Sequence, residues 1–371
     1  PFVRSVWNVG DTIKLPDLAK TLEQISDSGR SGFYSGIVAE SIIKECQEGN
    51  GLISYEDLRK YRSQWRQPIH GTYRDYEIYC MGPPSSGGVA LMQLLKGAEQ
   101  RDISHHGHNS TSNLHYIAEL EKRVYADRAS HLGDPDFYDV PQKQLLDPVY
   151  LKERYNDIKV DKATPSDQIR KGFVDTIEST ETTHFSVVDQ NGNAASITTT
   201  LNGYFGSKVY VQGAGFILNN QMDDFSIKAG VPNQFGLIGD SANAIKPGKR
   251  MLSSMTPTIV EKEGQFYLAI GTPGGSTIIT SVFQAIMNLV DHGMTLQEAV
   301  DVPKMHHQWL PDYVLYDSGQ FSQALIDSMT NLGHEMKYKL HLGYLSGIRA
   351  LENGNLEGAA DSRGYSTAKG Y

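Results

Sequence analysis

Apolar residues in the first fifty positions recur at helical spacing. Leu18, Leu22 and Ile25, then Ile37, Val38, Ser41, Ile42 and Cys46, share one stripe between Asp17 and about Glu48, which predicts two helices, the second ended by Gly49-Asn50-Gly51. Ser54 followed by Asp57 predicts a capped short helix, and GTYRDYEIYCM, Gly71 to Met81, alternates as a strand before the Pro83-Pro84 break. Helical spacing returns from Gly88 to about Glu99 and from Ser112 to about His131. Between Pro141 and Glu181 the chain is polar and irregular with a few charged helical turns, and reads as a surface connection.

After Thr182 the period changes to that of sheet. THFSVVD, a turn at Gln190-Asn191-Gly192 and AASITTTL predict a hairpin; KVYVQGAGFIL continues the extended pattern; TPTIVEKEGQFYLAIG predicts a second hairpin turning at Glu263-Gly264. Helices are expected from Ser276 to about His292 and from Leu296 to Val302. Strands followed by helices in each half predict stacked α and β layers, with apolar sheet faces packed together and helices outside.

Composition narrows this picture only modestly. With 371 residues and 39% hydrophobic content, the chain suits a soluble globular protein with a substantial core. Lys+Arg 34 against Asp+Glu 43, a net charge of -9, argues against a nucleic-acid or anionic-membrane partner, and no run of 18 apolar residues offers a membrane span. Cys46 and Cys80 are too few for a disulfide framework or a metal cluster, and two buried thiols are expected ahead of one bridge. His105, His106, His108 and His115 lie in a polar loop and the following helix without an acidic or cysteine partner at zinc-like spacing, so they are expected to face solvent. No metal or cofactor is implied.

The candidate chemistry centres on Thr182, Thr183 and His184. A threonine hydroxyl needs a nearby base before it can attack a carbonyl. Cleavage between Glu181 and Thr182 would free the Thr182 α-amine, whose reference pKa of about 7.7 to 8.0 leaves a sizeable neutral fraction near pH 7. Nucleophile and base then share one residue. Without further context, TTH followed by alternation is an ordinary strand start.

That context is supplied by LNNQMDDFS (Leu218 to Ser226), KRMLSSMTPTIV (Lys249 to Val260), GTPGGSTIITSVFQAI (Gly271 to Ile286) and HHQWLP (His306 to Pro311), preceded by PPSSGG (Pro83 to Gly88) and YADRASHLGDPDF (Tyr125 to Phe137). Each resembles a segment of the γ-glutamyltransferase family, in family order, and the resemblance runs essentially from end to end. It implies an α+β fold, the four-layer αββα sandwich of the N-terminal-nucleophile hydrolases. Residues 1–181 then match the later part of a large subunit and residues 182–371 a small subunit, both contributing to one domain. Pro1 reads as an internal position, because the family's members look like exported, periplasmic or extracellular precursors with a long preceding segment, and the family's carboxylate-binding arginine is expected there. The 371 residues by themselves are therefore expected to be poorly soluble or weakly active.

The same resemblance assigns roles. Thr182 becomes the nucleophile, which also attacks its own preceding peptide bond, and Thr200 the hydroxyl that orients it; a strand threonine in a TTT run is the plainer reading of Thr200. Asn202, Gln221 and Asp224 match positions that hold the donor's α-ammonium, since a buried ammonium needs an anion and neutral acceptors. Ser253 and Ser254 match the pair that contacts its α-carboxylate. Gly274 and Gly275 match the loop whose backbone N–H groups form an oxyanion hole. The loop from Gly230 to Gly239 resembles the lid over the donor pocket, with Phe235 where many bacterial relatives carry a tyrosine, so its closure lacks that hydroxyl. The implied activity is a γ-glutamyl transferase or hydrolase acting on glutathione and related amides, with water, an amino acid or a peptide as acceptor. A glutaryl acylase, a poly-γ-glutamate-processing relative and a non-catalytic scaffold are the alternatives; Asp224 argues against glutaryl groups, which carry no ammonium.

Overall fold

The computed structural model describes residues 2–4, 6–169, 181–226, 228, 230–234 and 236–370, with Glu181 described by its backbone. The helices are α1 (Pro16–Ser28), α2 (Arg30–Tyr34), α3 (Gly36–Glu48), α4 (Tyr55–Lys60), α5 (Gly87–Ala98), α6 (Thr111–His131), α7 (Gln142–Leu145), α8 (Pro148–Tyr155), α9 (Thr277–Val290), α10 (Leu296–Asp301) and α11 (Gln323–Asn331). The strands are β1 (Ile69–Tyr73), β2 (Tyr76–Cys80), β3 (Glu181–Val188), β4 (Ala194–Asn202), β5 (Tyr210–Val211), β6 (Phe216–Ile217), β7 (Thr258–Lys262), β8 (Gln265–Gly271), β9 (Met305–His306), β10 (Val314–Asp317), β11 (Met336–Lys339), β12 (Ser346–Ala350) and β13 (Leu356–Ala360).

Contacts divide the chain into two compact units, Pro1–Trp65 with Gly203–Asn220, and Arg66–Asn202 with Gln221–Tyr371. The Glu181–Thr182 bond lies inside the second. In the first unit the two expected helices are three segments, because Gly29 (φ 53°) and Gly36 (φ 61°) take the left-handed conformation that stops a helix. The buried stripe also differs: Leu22 and Ile37 are exposed, while Thr21 is buried and donates to the Ala214 carbonyl at 2.8 Å. Val38, Ile42 and Cys46 pack on Val211 and Ala214. Ser54 and Asp57 form the expected reciprocal cap of α4. KVYVQGAGFIL forms a short hairpin of two-residue strands, β5–β6, rather than a continuous strand; Gly213 and Gly215 turn it, and a Cβ on Gly215 would come within 2.2 Å of the Leu18 nitrogen.

The second unit is built on an antiparallel six-stranded sheet, β1-β2-β7-β8-β12-β13. Residues from both sides of Thr182 therefore share one sheet. The stretch read as one strand from Gly71 to Met81 is the β1–β2 hairpin, turned at Arg74 (φ 51°) without the glycine that usually marks such a turn. Glu263 (φ 51°) and Gly264 (φ 72°) make the expected β7–β8 turn.

Strand alternation sorts the two faces of this sheet. Leu268 and Ile270 join Val282, Phe283 and Ile286 of α9 and Leu91 and Leu94 of α5 in the main core, where fully burying each aliphatic side chain is worth about 1.5–3 kcal/mol. Gly271, of opposite parity, faces His184 of the β3–β4 hairpin, which lies against β7, β8 and β12. Helix, sheet and hairpin layers are thus made by described residues, three of the four layers expected. The hairpin's outer face exposes Phe185, Val187, Ile197 and Leu201. Parallel β10–β11 and antiparallel β10–β9 form a smaller sheet beside α6, α9 and α11.

The polar connection after Pro141 is more buried than expected. Leu145, Leu151, Tyr155, Ala163 and Ile169 all sit in the interior. Cys46 and Cys80 are free and buried. His105 and His106 are exposed, but His115 departs from expectation: it is buried on α6, its Nδ1 is 2.8 Å from His334 Nε2, and Glu119 completes a cluster whose ligand-type atoms lie within 4.8 Å. Its partners come from one helical turn away and from more than two hundred residues downstream, a distance at which sequence spacing carries no signal. The cluster is internally spent. Glu119 faces Lys122 at 3.3 Å and Arg123 at 2.7 Å and accepts from the Thr164 N–H, so cations occupy the carboxylate a metal would need.

Candidate active site

Strand β3 begins at a register shift. Glu181 pairs with Asn202 but Thr183 pairs with Thr199, so an extra β4 residue stands opposite Thr182. Bulges of this kind re-aim side chains beside functional sites. Here the Thr182 hydroxyl donates to the Thr200 hydroxyl at 3.2 Å, and Thr200 Oγ1 accepts from the Asn202 N–H at 2.8 Å. Asn202 takes φ 78°, which turns the chain out of β4. Thr182, His184 and Ser186 share the inner face. His184 bonds Thr198 Oγ1 at 2.8 Å and Ser186 Oγ at 3.1 Å, and burial lowers its pKa to about 4, so it stays neutral.

From Asn202 the contacts lead into the NNQMDD segment, which forms a short 3-10 turn over Gln221–Asp224. The Asn202 side chain bonds the Asp224 carboxylate. Burial pushes the Asp224 carboxyl up to about 7, against the opposing pull of Arg128 and the Asn202 bond, and Asp223 adds to the rise. Asp223 has a separate task, accepting from the Gln234 N–H at 2.8 Å and so fastening the lid-like loop. Asn243 links Asp224 to the serine pair: its Nδ2 donates to the Asp224 carbonyl at 2.7 Å while its Oδ1 accepts from the Leu252 N–H at 2.9 Å.

Ser253 and Ser254 are held by the PPSSGG turn. Ser85 and Ser253 form a parallel bridge, the Ser253 N–H donates to the Pro84 carbonyl at 2.9 Å, and the Ser86 hydroxyl donates to the Ser253 carbonyl at 2.7 Å. Arg128 joins them from α6. Buried to 3% exposure, it donates from Nε to Ser86 Oγ at 2.9 Å and from Nη2 to Ser254 Oγ at 3.1 Å. Sequence reading passed over this arginine, although it stands in YADRASHLGDPDF; the same segment supplies Asp134, which accepts from the Arg250 N–H at 2.8 Å beside the serines.

Gly274 and Gly275 occupy the loop between β8 and α9. Gly274 takes φ 147°, and a Cβ there would come within 2.5 Å of Thr277 Oγ1, which donates to the Gly274 carbonyl at 2.8 Å. Behind the loop, Ser276 donates to Gln308 Oε1 at 2.7 Å, its carbonyl accepts from the Tyr125 hydroxyl, and His306 bonds Thr280 at 2.9 Å. His306 and His307 are buried in this support.

The structure thus joins Thr182, Thr200, Asn202 and Asp224 into one series of contacts, and Arg128, which bonds Ser254, acts on Asp224 through its charge. Ser253 adjoins Ser254, and the glycine pair follows the strand over which His184 sits. Gln221 lies in the same 3-10 turn as Asp224. Phe235, and residues 170–180 ahead of the proposed cut, lie outside the described residues.

A threonine at the head of a hairpin, laid on a sheet backed by helices, defines the N-terminal-nucleophile hydrolase sandwich. The model of the Gamma-glutamyltranspeptidase family matches residues 2–371, and the chain belongs to that family. It is 46% identical over 354 residues to the glutathione hydrolase proenzyme of Escherichia coli strain K12, covering 95% of this chain and 61% of that protein. The glutathione hydrolase proenzyme of Pseudomonas aeruginosa is 45% identical over 360 residues, covering 96% and 64%. Among solved structures, a cephalosporin acylase from Bacillus halodurans superposes with a TM-score of 0.80 at 25% identity, covering 96% of this chain and 62% of that one. The chain therefore spans a little over three fifths of the length of the curated relatives it matches.

Proposed function

We propose that the protein is a γ-glutamyl transferase and hydrolase that acts on glutathione and other γ-glutamyl amides after a self-catalysed cut between Glu181 and Thr182. The observation that carries this reading is the contact series from the Thr182 hydroxyl through Thr200 and Asn202 to Asp224. It connects a nucleophile to a partly buried carboxylate suited to an α-ammonium. In the cut, Thr182 Oγ1 attacks the Glu181 carbonyl carbon, the peptide nitrogen leaves as the Thr182 α-amine, and water opens the resulting ester. Two subunits from one precursor result.

In turnover the α-amine takes the Thr182 hydroxyl proton as Oγ1 attacks the γ-carbonyl carbon. The carbonyl oxygen, now negative, is met by N–H groups of the Gly274-Gly275 loop. The C–N bond breaks, the ammonium returns its proton to the departing amine, and the γ-glutamyl group remains as an ester on Thr182. Water or the amine of an amino acid or peptide then attacks that ester. The names of the proenzyme relatives support both the processing and the substrate, and a periplasmic or extracellular location goes with this reading.

Likeness to a cephalosporin acylase favours a second reading, an acylase for glutaryl side chains. Glutaryl groups keep the carboxylate but lack the ammonium, so Asp224 favours the γ-glutamyl donor. Intact-mass analysis of the full-length protein tests the main reading. The expected result is one piece ending at Glu181 and one beginning at Thr182, with Thr182→Ala remaining whole and inactive; self-cleavage at that bond in Thr182→Ala would sink it.

A further inference from the structure

Arg128 presents a problem of charge. Its side chain is 3% exposed, and among the described residues it hydrogen-bonds only two neutral hydroxyls, those of Ser86 and Ser254. A guanidinium out of water needs a compensating anion. Asp224 is the carboxylate whose field acts on Arg128 and is acted on by it. A donor carboxylate held at the serine pair would be the second.

Hydrogen-bond direction adds a constraint. Guanidinium groups only donate, so Ser254 Oγ is the acceptor from Nη2 and its own O–H remains a donor. Ser86 solves the same problem by donating to the Ser253 carbonyl at 2.7 Å. Ser254 has a carboxylate oxygen of the donor as its natural acceptor. Resting on the γ-glutamyl reading above, we propose that Arg128 is a positioning residue for the amino-acid head of the donor: it turns the Ser254 hydroxyl toward the substrate carboxylate and keeps Asp224 an anion for the substrate ammonium. Arg128 itself acts through these two groups. The charged groups facing Asp224 are Arg128 from α6 and Asp223 from its own turn, with Asn202 of β4 as the neutral partner.

The test uses the full-length protein with γ-glutamyl p-nitroanilide. Arg128→Met should raise KM roughly 10- to 100-fold, the range for a hydrogen bond to a charged group, and leave kcat within about threefold. The pH below which KM climbs should move upward, since Asp224 loses its cation. In a double-mutant cycle, Ser254→Ala should cost far less in the Arg128→Met background than in the unaltered protein. Arg128→Lys keeps the charge but cannot reach both serines with a planar fork, so KM should rise while the acid limb stays in place. It also decides the matter if Arg128→Met fails to fold or to be cut. An unaltered KM in either cleaved variant, or strict additivity with Ser254→Ala, would overturn the proposal. Failure of the underlying reading looks different, because the unaltered protein would then leave the anilide intact, and the proposal would fall with it.

Discussion

The Thr182 hydroxyl stands 3.2 Å from the Thr200 hydroxyl across a break in strand register that sets two β4 residues, Thr200 and Leu201, opposite Thr182. Thr200 also accepts from the Asn202 N–H, so its oxygen is fixed before any substrate arrives. Removing it frees the Thr182 rotamer. Thr200→Ala should lower kcat about 3- to 10-fold, the value of one neutral hydrogen bond, and slow the Glu181–Thr182 cut in parallel. Thr200→Ser should restore most of both. Single-turnover rates and time-resolved intact mass would measure the two effects, and a Thr200→Ser variant as slow as Thr200→Ala would deny the hydroxyl its role.

Asp224 should write its titration into substrate choice. Its carboxyl is pushed up to about 7, so it is an anion above that pH and neutral below it. On the proposed reading, its pair with a substrate ammonium would be present above about pH 7 and would be lost as pH falls. The Thr182 amine also protonates on acidification, but it does so for every substrate. The expected result is a steeper acid-side fall in kcat/KM for γ-glutamyl anilide than for glutaryl anilide, and Asp224→Asn should erase the difference. Parallel profiles for the two substrates would remove Asp224 from ammonium binding.

Gly274 lies in a backbone region that only glycine occupies readily, and Thr277 closes over the place a Cβ would take. If the loop forms the proposed oxyanion hole, Gly274→Ala should therefore rotate its N–H groups away from the place of the acyl oxygen. Losing one oxyanion donor costs roughly 100- to 1000-fold in kcat, with KM changed much less. Steady-state kinetics on the cleaved variant provide the check, and a fall confined to KM would point to a binding role for the loop instead.

Gly271 carries a structural demand. An added Cβ would lie 2.3 Å from the His184 ring, between β8 and the strand that bears Thr182. Overpacking of this kind typically costs about 1–3 kcal/mol. Gly271→Ala should lower the unfolding midpoint and impair self-cleavage, and Gly271→Ala with His184→Ala should recover part of the stability. An unchanged midpoint in the single variant would show that the hairpin can lift off the sheet at no cost.

Acid should weaken the second unit through its buried histidines. Burial lowers the His307 pKa to about 4 despite Asp312, and burial with nearby Lys122 lowers that of His334 to about 3. Both remain neutral in the fold, whereas unfolded histidine protonates near 6.5. Their contribution is thus complete above about pH 6.5 and is lost as pH falls from there toward 4 and 3, by about 1.4 kcal/mol per pH unit for each group. Lower still, Glu119 adds to the loss: burial favours its protonation, but Lys122, Thr164 and Arg123 hold it at about 2. Denaturant midpoints measured from pH 7 to 4 should show the decline, and His334→Gln should flatten it.

The amino-acid sequence by itself determined the parts whose signals are local. Period changed from helix to strand at Thr182; Ser54 with Asp57 marked a cap, and Glu263-Gly264 marked a turn, because backbone conformation at each depends on residues within a few positions. Motif order along the chain also pointed to Thr182, Thr200, Asn202 and Asp224 as candidates, and the structure places these four in one neighbourhood. Tertiary structure alone decided which distant groups meet. Arg128 reaches Ser254 across 126 residues of chain, and His115 reaches His334 across 219. Neither pairing has a spacing to read, since each is set by how α6 packs against elements far along the chain. The β1–β2 turn was hidden for a related reason. Arg74 adopts a positive φ that no glycine advertises, and the pairing of β2 with β7 and the core beneath β1 and β2 supply what the turn residues do not. Burial, finally, gave Asp224 its raised pKa and His184 its neutral ring, because desolvation is a property of the packed interior and not of any residue's neighbours in sequence.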